Sequence, residues 1–193
     1  MAAGQREPET TFSPVGWAAE TAVIELLTRQ GAGEIPHPGG TLLAHLRRVH
    51  ALLVRWRARP AVRLAGMGHA FYGTDGFPTA LGDLARRDEL AEVAGEEAER
   101  LVYFYASCDR GFSYPGLATD GAGFRDRFTG TVLRPDRRSR QDFAEITVAN
   151  ELDVLHANAG LRARYGGELL ELFTSWDELL SDAARLAVRA MLP

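Results

Sequence analysis

From Leu42 to Trp56 the apolar side chains recur at three- and four-residue steps, Leu42, Leu43, Leu46, Val49, Leu52, Leu53 and Trp56, with Arg47, Arg48 and Arg55 between them. Such spacing lays the apolar groups along one face of a helix and is incompatible with the two-residue alternation of a strand. Thr41 is a plausible cap. After a short Arg/Pro link, Pro60 opens a second segment, AVRLAGMGHAFYG, that is apolar almost all round and is therefore predicted to be a central helix. Ala65, Gly66 and Gly68 allow neighbouring helices to approach it closely, at a cost in intrinsic helix propensity. The stretch from His37 to Phe77 also holds four of the five histidines, at 37, 45, 50 and 69.

The remainder of the chain repeats the helical pattern. A first helix is expected over about 14–30, begun by Ser13-Pro14 and stopped at Gly31/Gly33. The link GAGEIPHPGG cannot be helical, because Pro36 and Pro38 push the residues before them toward extended geometry, so His37 is held in a stiff loop. Short helices are expected near 79–85 and 87–93, and a longer one from Glu96 to Ser107 whose Tyr103, Phe104 and Tyr105 pack the core. Residues 109–138, rich in Gly, Pro, Asp and Arg, read as a long irregular segment, a possible lid, with a small hairpin turning at Gly130. Ser139 with Asp142 then caps a helix running to Asn158. Gly166-Gly167 separates the short helix ELLELF from what precedes it, and the capping box Ser175 to Glu178 starts the last helix. The fold class is all-α, a helical bundle. Residues 1–12 form a mobile tail and 13–193 a single domain, since 193 residues with 46% apolar content suffice for one well-buried core.

Composition closes several routes to function. The net charge of -4 offers no general basic field for nucleic acid. There is no lysine, which removes Schiff-base chemistry and the phosphate loop that ends in Gly-Lys-Ser/Thr. No run approaches 18 uninterrupted apolar residues, and the N-terminus lacks a secretory pattern, so a cytoplasmic protein without a membrane partner is expected. The single Cys108 excludes an internal disulfide and a cysteine zinc knuckle; Asp109 and Arg110 beside it could lower its pKa, although a lone Cys at a helix end is usually structural.

The histidines are what remains. His45 lies on the apolar side of its helix, His69 sits inside the central one, and two helices joined by so short a link can aim both into one cavity. That is what a first-row metal site needs; a buried histidine that merely donates to a carbonyl is the competing reading. His50 lies about 140° from His45 around the helix and cannot share a small site with it. Farther along, Asn150, Asp153 and His156 follow at i+3 steps as a polar stripe.

The histidine spacing resembles the HD superfamily of helical metal-dependent phosphohydrolases and oxygenases. His45-Leu-Arg-Arg-Val is similar to its first motif, and Leu64 to His69, 24 residues after His45, to its second. More narrowly, HPGGTLLAHL, Trp56, AGMGHAFYGTDGF and VAGEEAERLVYFY resemble an HD-like family of uncharacterised function in which His-x-x-Tyr replaces His-Asp, over roughly residues 36–106. The chain departs from the superfamily at two ligands: Ala70 follows His69 where a bridging aspartate is expected, and Asn150 stands where the final aspartate would be. The resemblance therefore implies a mononuclear site, with His45 and His69 as ligands and Asp153, Asn150 or His37 completing it around Fe, Mn or Zn.

The expected function is that of a small-molecule enzyme, a metal-dependent hydrolase or oxygenase. In it Tyr72 and Asp75 assist proton transfer, and Arg110 or Arg127 holds an anionic group of the substrate. The alternative is a metal-free relative whose helical cavity binds a ligand or acts as an isomerase or cyclase.

Overall fold

The computed structural model describes residues 14–192, with side chains from Trp17 onward; the expected tail over 1–12 and the Ser13 cap lie outside the described residues. The element order is α1 (Pro14–Arg29), β1 (Pro36–His37), β2 (Gly40–Thr41), α2 (Leu42–Arg55), α3 (Pro60–Gly68), α4 (Asp88–Ala94), α5 (Glu96–Ala106), α6 (Arg110–Ser113), β3 (Phe124–Arg125), β4 (Val132–Leu133), α7 (Arg137–Ala157), α8 (Ala159–Ser175) and α9 (Asp182–Met191). The chain is an all-α bundle, as the periodicities predict, and its only described sheets are two antiparallel ladders of two residues per strand. Among the described residues no helix is long and apolar enough to cross a membrane.

Helix α2 begins where Thr41 Oγ1 accepts the Ala44 N–H at 3.2 Å, which satisfies one of the donors a helix start leaves free. Its inward face is Leu42, Leu46, Val49 and Leu53, each no more than 1% exposed, and burying each such side chain stabilises the fold by roughly 1.5–3 kcal/mol. The helix ends at Trp56, and Arg57 then takes a left-handed φ of 58° to turn the chain toward α3. Helix α3 packs against α1, α2, α5 and α7 and is the centre of the bundle. Its glycines are the reason it can be. A Cβ on Gly66 would run into Leu53 of α2, and one on Gly68 would lie 3.2 Å from Val102 of α5.

Helix α7, 21 residues long, crosses the bundle against α2, α3 and α5 on one side and α8 and α9 on another. Buried apolar side chains from all these helices form one continuous cluster, with Tyr105 inside it and Tyr103 and Phe104 packed against it. Phe104 stacks on Phe124 of β3 with ring centroids 4.1 Å apart, which pins the hairpin to α5.

Several expected boundaries move. No helix forms over 79–83; only Leu84–Arg86 makes a single 3-10 turn, because the backbone of Leu81 and Gly82 is spent donating to Phe71 O. His37 is not in a loop but in β1, paired with Gly40. The cap of α7 is Asp136, whose carboxylate accepts the Ser139 N–H at 2.7 Å, so the helix starts a turn before the expected one. Gly166 and Gly167 lie within α8 rather than ending a helix. Ser175 closes α8 by donating to Leu172 O, and it is Ser181 that caps the last helix. At the start of α7 a competing polar group one turn earlier supplies the cap.

Candidate functional site

The site lies where α2, α3 and α7 meet beneath the first hairpin. His45, 0% exposed, projects from the inward face of α2, and His69, 3% exposed, stands at the C-terminal end of α3. His69 Nδ1 donates to Gly66 O at 2.8 Å, a bond within its own helix turn. His45 Nδ1 donates to Asp153 Oδ2 at 2.7 Å. With both Nδ1 atoms carrying the proton, both Nε2 atoms present lone pairs. They face one another at 3.4 Å. Asn150 Oδ1 joins them, 3.0 Å from His45 Nε2. The amide is held in that orientation by its nitrogen, which donates to Glu151 Oε1 at 3.1 Å.

With His45 protonated on Nδ1 alone, three acceptor atoms converge without a donor, an arrangement that a cation among them would satisfy; a proton on His45 Nε2 donated to Asn150 Oδ1 would satisfy it too. A divalent ion with bonds of about 2.0–2.1 Å and a tetrahedral angle would separate two nitrogens by about 3.3–3.4 Å. The observed 3.4 Å fits that edge. Burial, with His45 close by, lowers the His69 imidazole to about 3 despite its bond to the Gly66 carbonyl, so it is neutral and able to ligate. Among the described residues no group of three or more His, Cys, Asp or Glu side chains is arranged to hold a metal ion. The third donor here is an amide oxygen, which that chemistry does not count and which is a weaker ligand than a carboxylate.

Asp153 is not on the Nε2 side. Its carboxylate is 5% exposed and is clasped by Arg48, Nε to Oδ1 at 2.8 Å and Nη2 to Oδ2 at 2.9 Å, while Oδ2 also takes the His45 proton. Burial alone would raise this carboxyl; the hydrogen bonds from His45 and Arg48 outweigh it and hold it below the usual carboxylate range. An imidazole backed by a carboxylate in this way is fixed in rotation and made more basic at its far nitrogen. His37 is also placed differently from a third ligand. Its ring stacks on His45 with centroids 4.1 Å apart, covering the imidazole face, and burial lowers its pKa to about 4.

A cavity of about 260 Å³ opens over His69 and Asn150, walled by Leu42, Phe77 and Val154 and including His37, Ala70, Arg110 and Glu151. Ala70 lies at the position where the HD pattern would place a carboxylate, and here its methyl group is simply wall. Arg110, on α6, reaches Glu151 Oε1 with Nη1 at 3.2 Å. Burial pulls its guanidinium down, but Tyr105, Tyr114 and Glu151 more than restore it, and it stays cationic.

Of the three side chains expected to assist, Arg110 alone borders this cavity. Tyr72 points the other way, its hydroxyl donating to Glu99 at 3.0 Å, and with Arg127 it lines a separate groove. Asp75 is exposed and accepts the Arg110 backbone N–H at 2.9 Å, tying the 73–77 turn to α6. His50 pairs with Glu20 at 3.2 Å on the far side of α2, and His156 is exposed. Cys108 is buried and its thiol is pushed up to about 12, the opposite of an activated cysteine. Sequence reading missed Arg48 and Glu151. Arg48 had a signal, a cation one turn after His45 on the same helix; Glu151 had none, because it stands a 100° step from Asn150 and enters the cavity only through its contact with Arg110.

Among known proteins, a family model described as a domain of unknown function (DUF6817) matches residues 26–110. The match spans α2 and α3 with His37, His45 and His69, and stops before Asn150, Glu151 and Asp153. No curated protein and no solved structure matches the chain.

Proposed function

We propose that this protein is a small-molecule enzyme whose site holds one divalent metal through His45 Nε2, His69 Nε2 and Asn150 Oδ1, as a reduced variant of the HD-type arrangement. The observation that carries this reading is the approach of the two Nε2 atoms to 3.4 Å while each Nδ1 is engaged with another acceptor. A bound ion would supply Lewis acidity to a substrate oxygen or, if it were iron, a place for dioxygen chemistry. The chain's own residues do the rest. Asp153 and Arg48 keep His45 in one tautomer, Glu151 keeps the amide oxygen of Asn150 turned inward, and Arg110 provides a cation at the cavity wall. Two imidazoles and an amide are neutral donors, so the site favours borderline metals such as Zn or Fe over the hard ions that carboxylates select.

A metal-free site is the second reading, and one observation favours it: the chain's nearest carboxylate, Asp153, is turned onto His45 Nδ1 and leaves the metal position without an anionic ligand. In that case a proton on His45 Nε2 directed at Asn150 Oδ1 would relieve the cluster, and the cavity would act by shape and hydrogen bonding as a binding protein, isomerase or cyclase. Elemental analysis separates the two. Untagged protein purified without chelator should contain close to one equivalent of Fe, Mn or Zn, and the double variant His45→Ala with His69→Ala should contain none. Wild-type protein that stays empty after incubation with Fe(II), Mn(II) and Zn(II) would leave the metal-free reading in place.

A further inference from the structure

The cavity's charges are paired and incompletely used. Among the described residues that line it, Arg110 and Glu151 alone carry a formal charge, one of each sign, since His37 and His69 are neutral. Their contact is a single bond, Nη1 to Oε1 at 3.2 Å, and the same Oε1 also accepts from Asn150. Among the described residues Arg110 Nε and Nη2 meet no acceptor and Glu151 Oε2 meets no donor, and the side chains keep 25% and 16% of their exposure. Each member of the pair can therefore take a partner without giving up the other.

A plain anion on Arg110 would lie against Glu151, and a plain cation on Glu151 would lie against Arg110. A molecule carrying both charges side by side meets neither repulsion. In an α-amino acid the ammonium nitrogen and carboxylate carbon are about 2.5 Å apart by standard covalent geometry, so both charges must meet neighbouring atoms of the pair. With the Nη1–Oε1 bond kept, the carboxylate would receive Arg110 Nη2 and the ammonium would donate to Glu151 Oε2. The rest of the wall, Leu42, Phe77, Val154 and Pro36, is apolar. At about 260 Å³ the cavity is at the small end of the roughly 300–1,000 Å³ of ordinary ligand pockets.

We propose that the cavity binds a small zwitterion of the α-amino acid type with an aliphatic side chain, its carboxylate on Arg110 and its ammonium on Glu151. This takes the cavity to be the substrate site of the preceding section, and it names the class of that substrate.

The test is calorimetric titration of the full chain with L-leucine, with N-acetyl-L-leucine, which lacks the ammonium, and with L-leucinol, which lacks the carboxylate. Each is run on chelator-treated and on Zn(II)-loaded protein. Leucine should bind at least about tenfold more tightly than either blocked analogue, the discrimination expected from losing one charged hydrogen bond. Glu151→Gln should abolish the penalty on acetylation, and Arg110→Gln the penalty on leucinol. Equal binding of leucine and N-acetyl-leucine by the wild type would overturn the proposal in favour of a simple anion site. Equal binding of leucine and leucinol would overturn it in favour of a cation site, and so would no binding of any of the three. The wild-type series decides this even if a variant fails to fold. Selectivity for leucine in protein that takes up no metal would defeat the metal reading and leave this one standing; stoichiometric metal without selectivity would do the reverse.

Discussion

The two halves of α7 bury polar side chains to similar depth and use them in opposite ways. In the N-terminal half, Asp142 receives Arg59 through two bonds, Nε at 3.2 Å and Nη2 at 2.5 Å. Arg140 donates to Leu117 O at 3.1 Å and pairs with Asp120, and Glu145 accepts the Ser181 N–H at 2.6 Å. Apart from Arg140 Nε and Glu145 Oε2, which are buried without a partner among the described residues, donors there meet acceptors, and what they join are the α2–α3 link, the 109–138 segment and the start of α9. In the C-terminal half, Asn150 and Asp153 surround His45, and with its proton on Nδ1 three acceptors face one another. A buried polar group whose partner is another part of the chain ties the fold together. A buried polar group whose partner is missing from the chain points to a ligand.

The contrast can be broken most directly at Asp142. Replacing it with Ala removes two bonds to the partly exposed Arg59 guanidinium, which keeps Glu97, and should destabilise the protein by about 1–2 kcal/mol, read as a shift in the urea midpoint. Metal content should not change. Loss of metal in Asp142→Ala, in a variant still folded by circular dichroism, would mean that the two halves are not separate devices.

At the other end the effects should reverse. Asn150→Leu removes the amide oxygen without opening a hole and should change stability by less than about 1 kcal/mol. It should weaken Zn(II) binding, measured by competition with a chromophoric chelator, by more than about tenfold. Asn150→Asp should strengthen it, because a carboxylate replaces a neutral donor beside a dication. Asp153→Asn acts one step removed. It leaves the ligand atoms in place but loosens the tautomer and orientation of His45, and should lower metal affinity by about 10–100-fold. Unchanged affinity in all three variants would remove Asn150 and Asp153 from the site.

Much of this arrangement was legible in the sequence and some of it was not, for physical reasons. The helices of the first half were readable because their apolar faces are wide and regular, and the pairing of His45 with His69 followed from the shortness of the link at Pro60. The position of Asn150 came from the resemblance to the HD pattern, since periodicity alone gave only a polar stripe with Asp153 and His156. What periodicity cannot give is direction within a shared face. Asp153 and Asn150 are one turn apart on α7, yet one meets Nδ1 of His45 and the other Nε2, and only the position of Arg48 decides which. Tyr72 shows the same limit: three residues from His69 in sequence, it turns into a different groove because Glu99 and Arg87 offer its hydroxyl a partner there. The cap expected at Ser139 was displaced by Asp136, a second capping residue one turn earlier, whereas Ser175 was taken up by Leu172 O at the end of α8, leaving Ser181 to cap the last helix.

The finest test of the comparison is Glu145, the one acidic group in the structural half that keeps an unpaired buried oxygen. Burial raises its carboxyl above the ordinary range; the Ser181 bonds pull it back only in part, and Asp142 adds to the rise. The native state therefore holds this proton to higher pH than the unfolded chain does. Between the ordinary carboxylate pKa of about 4.3 and the raised folded value, the native state binds more protons than the unfolded one, so unfolding free energy falls as pH rises through that window and is flat above it. Glu145→Gln keeps an oxygen for the Ser181 N–H and cannot ionise. Relative to the wild type it should gain stability as pH is raised from 4 to 7.5, by a small amount, while metal content stays the same. A wild type whose urea midpoint rises relative to Glu145→Gln over that range would show that the carboxylate is stabilised rather than strained by its site.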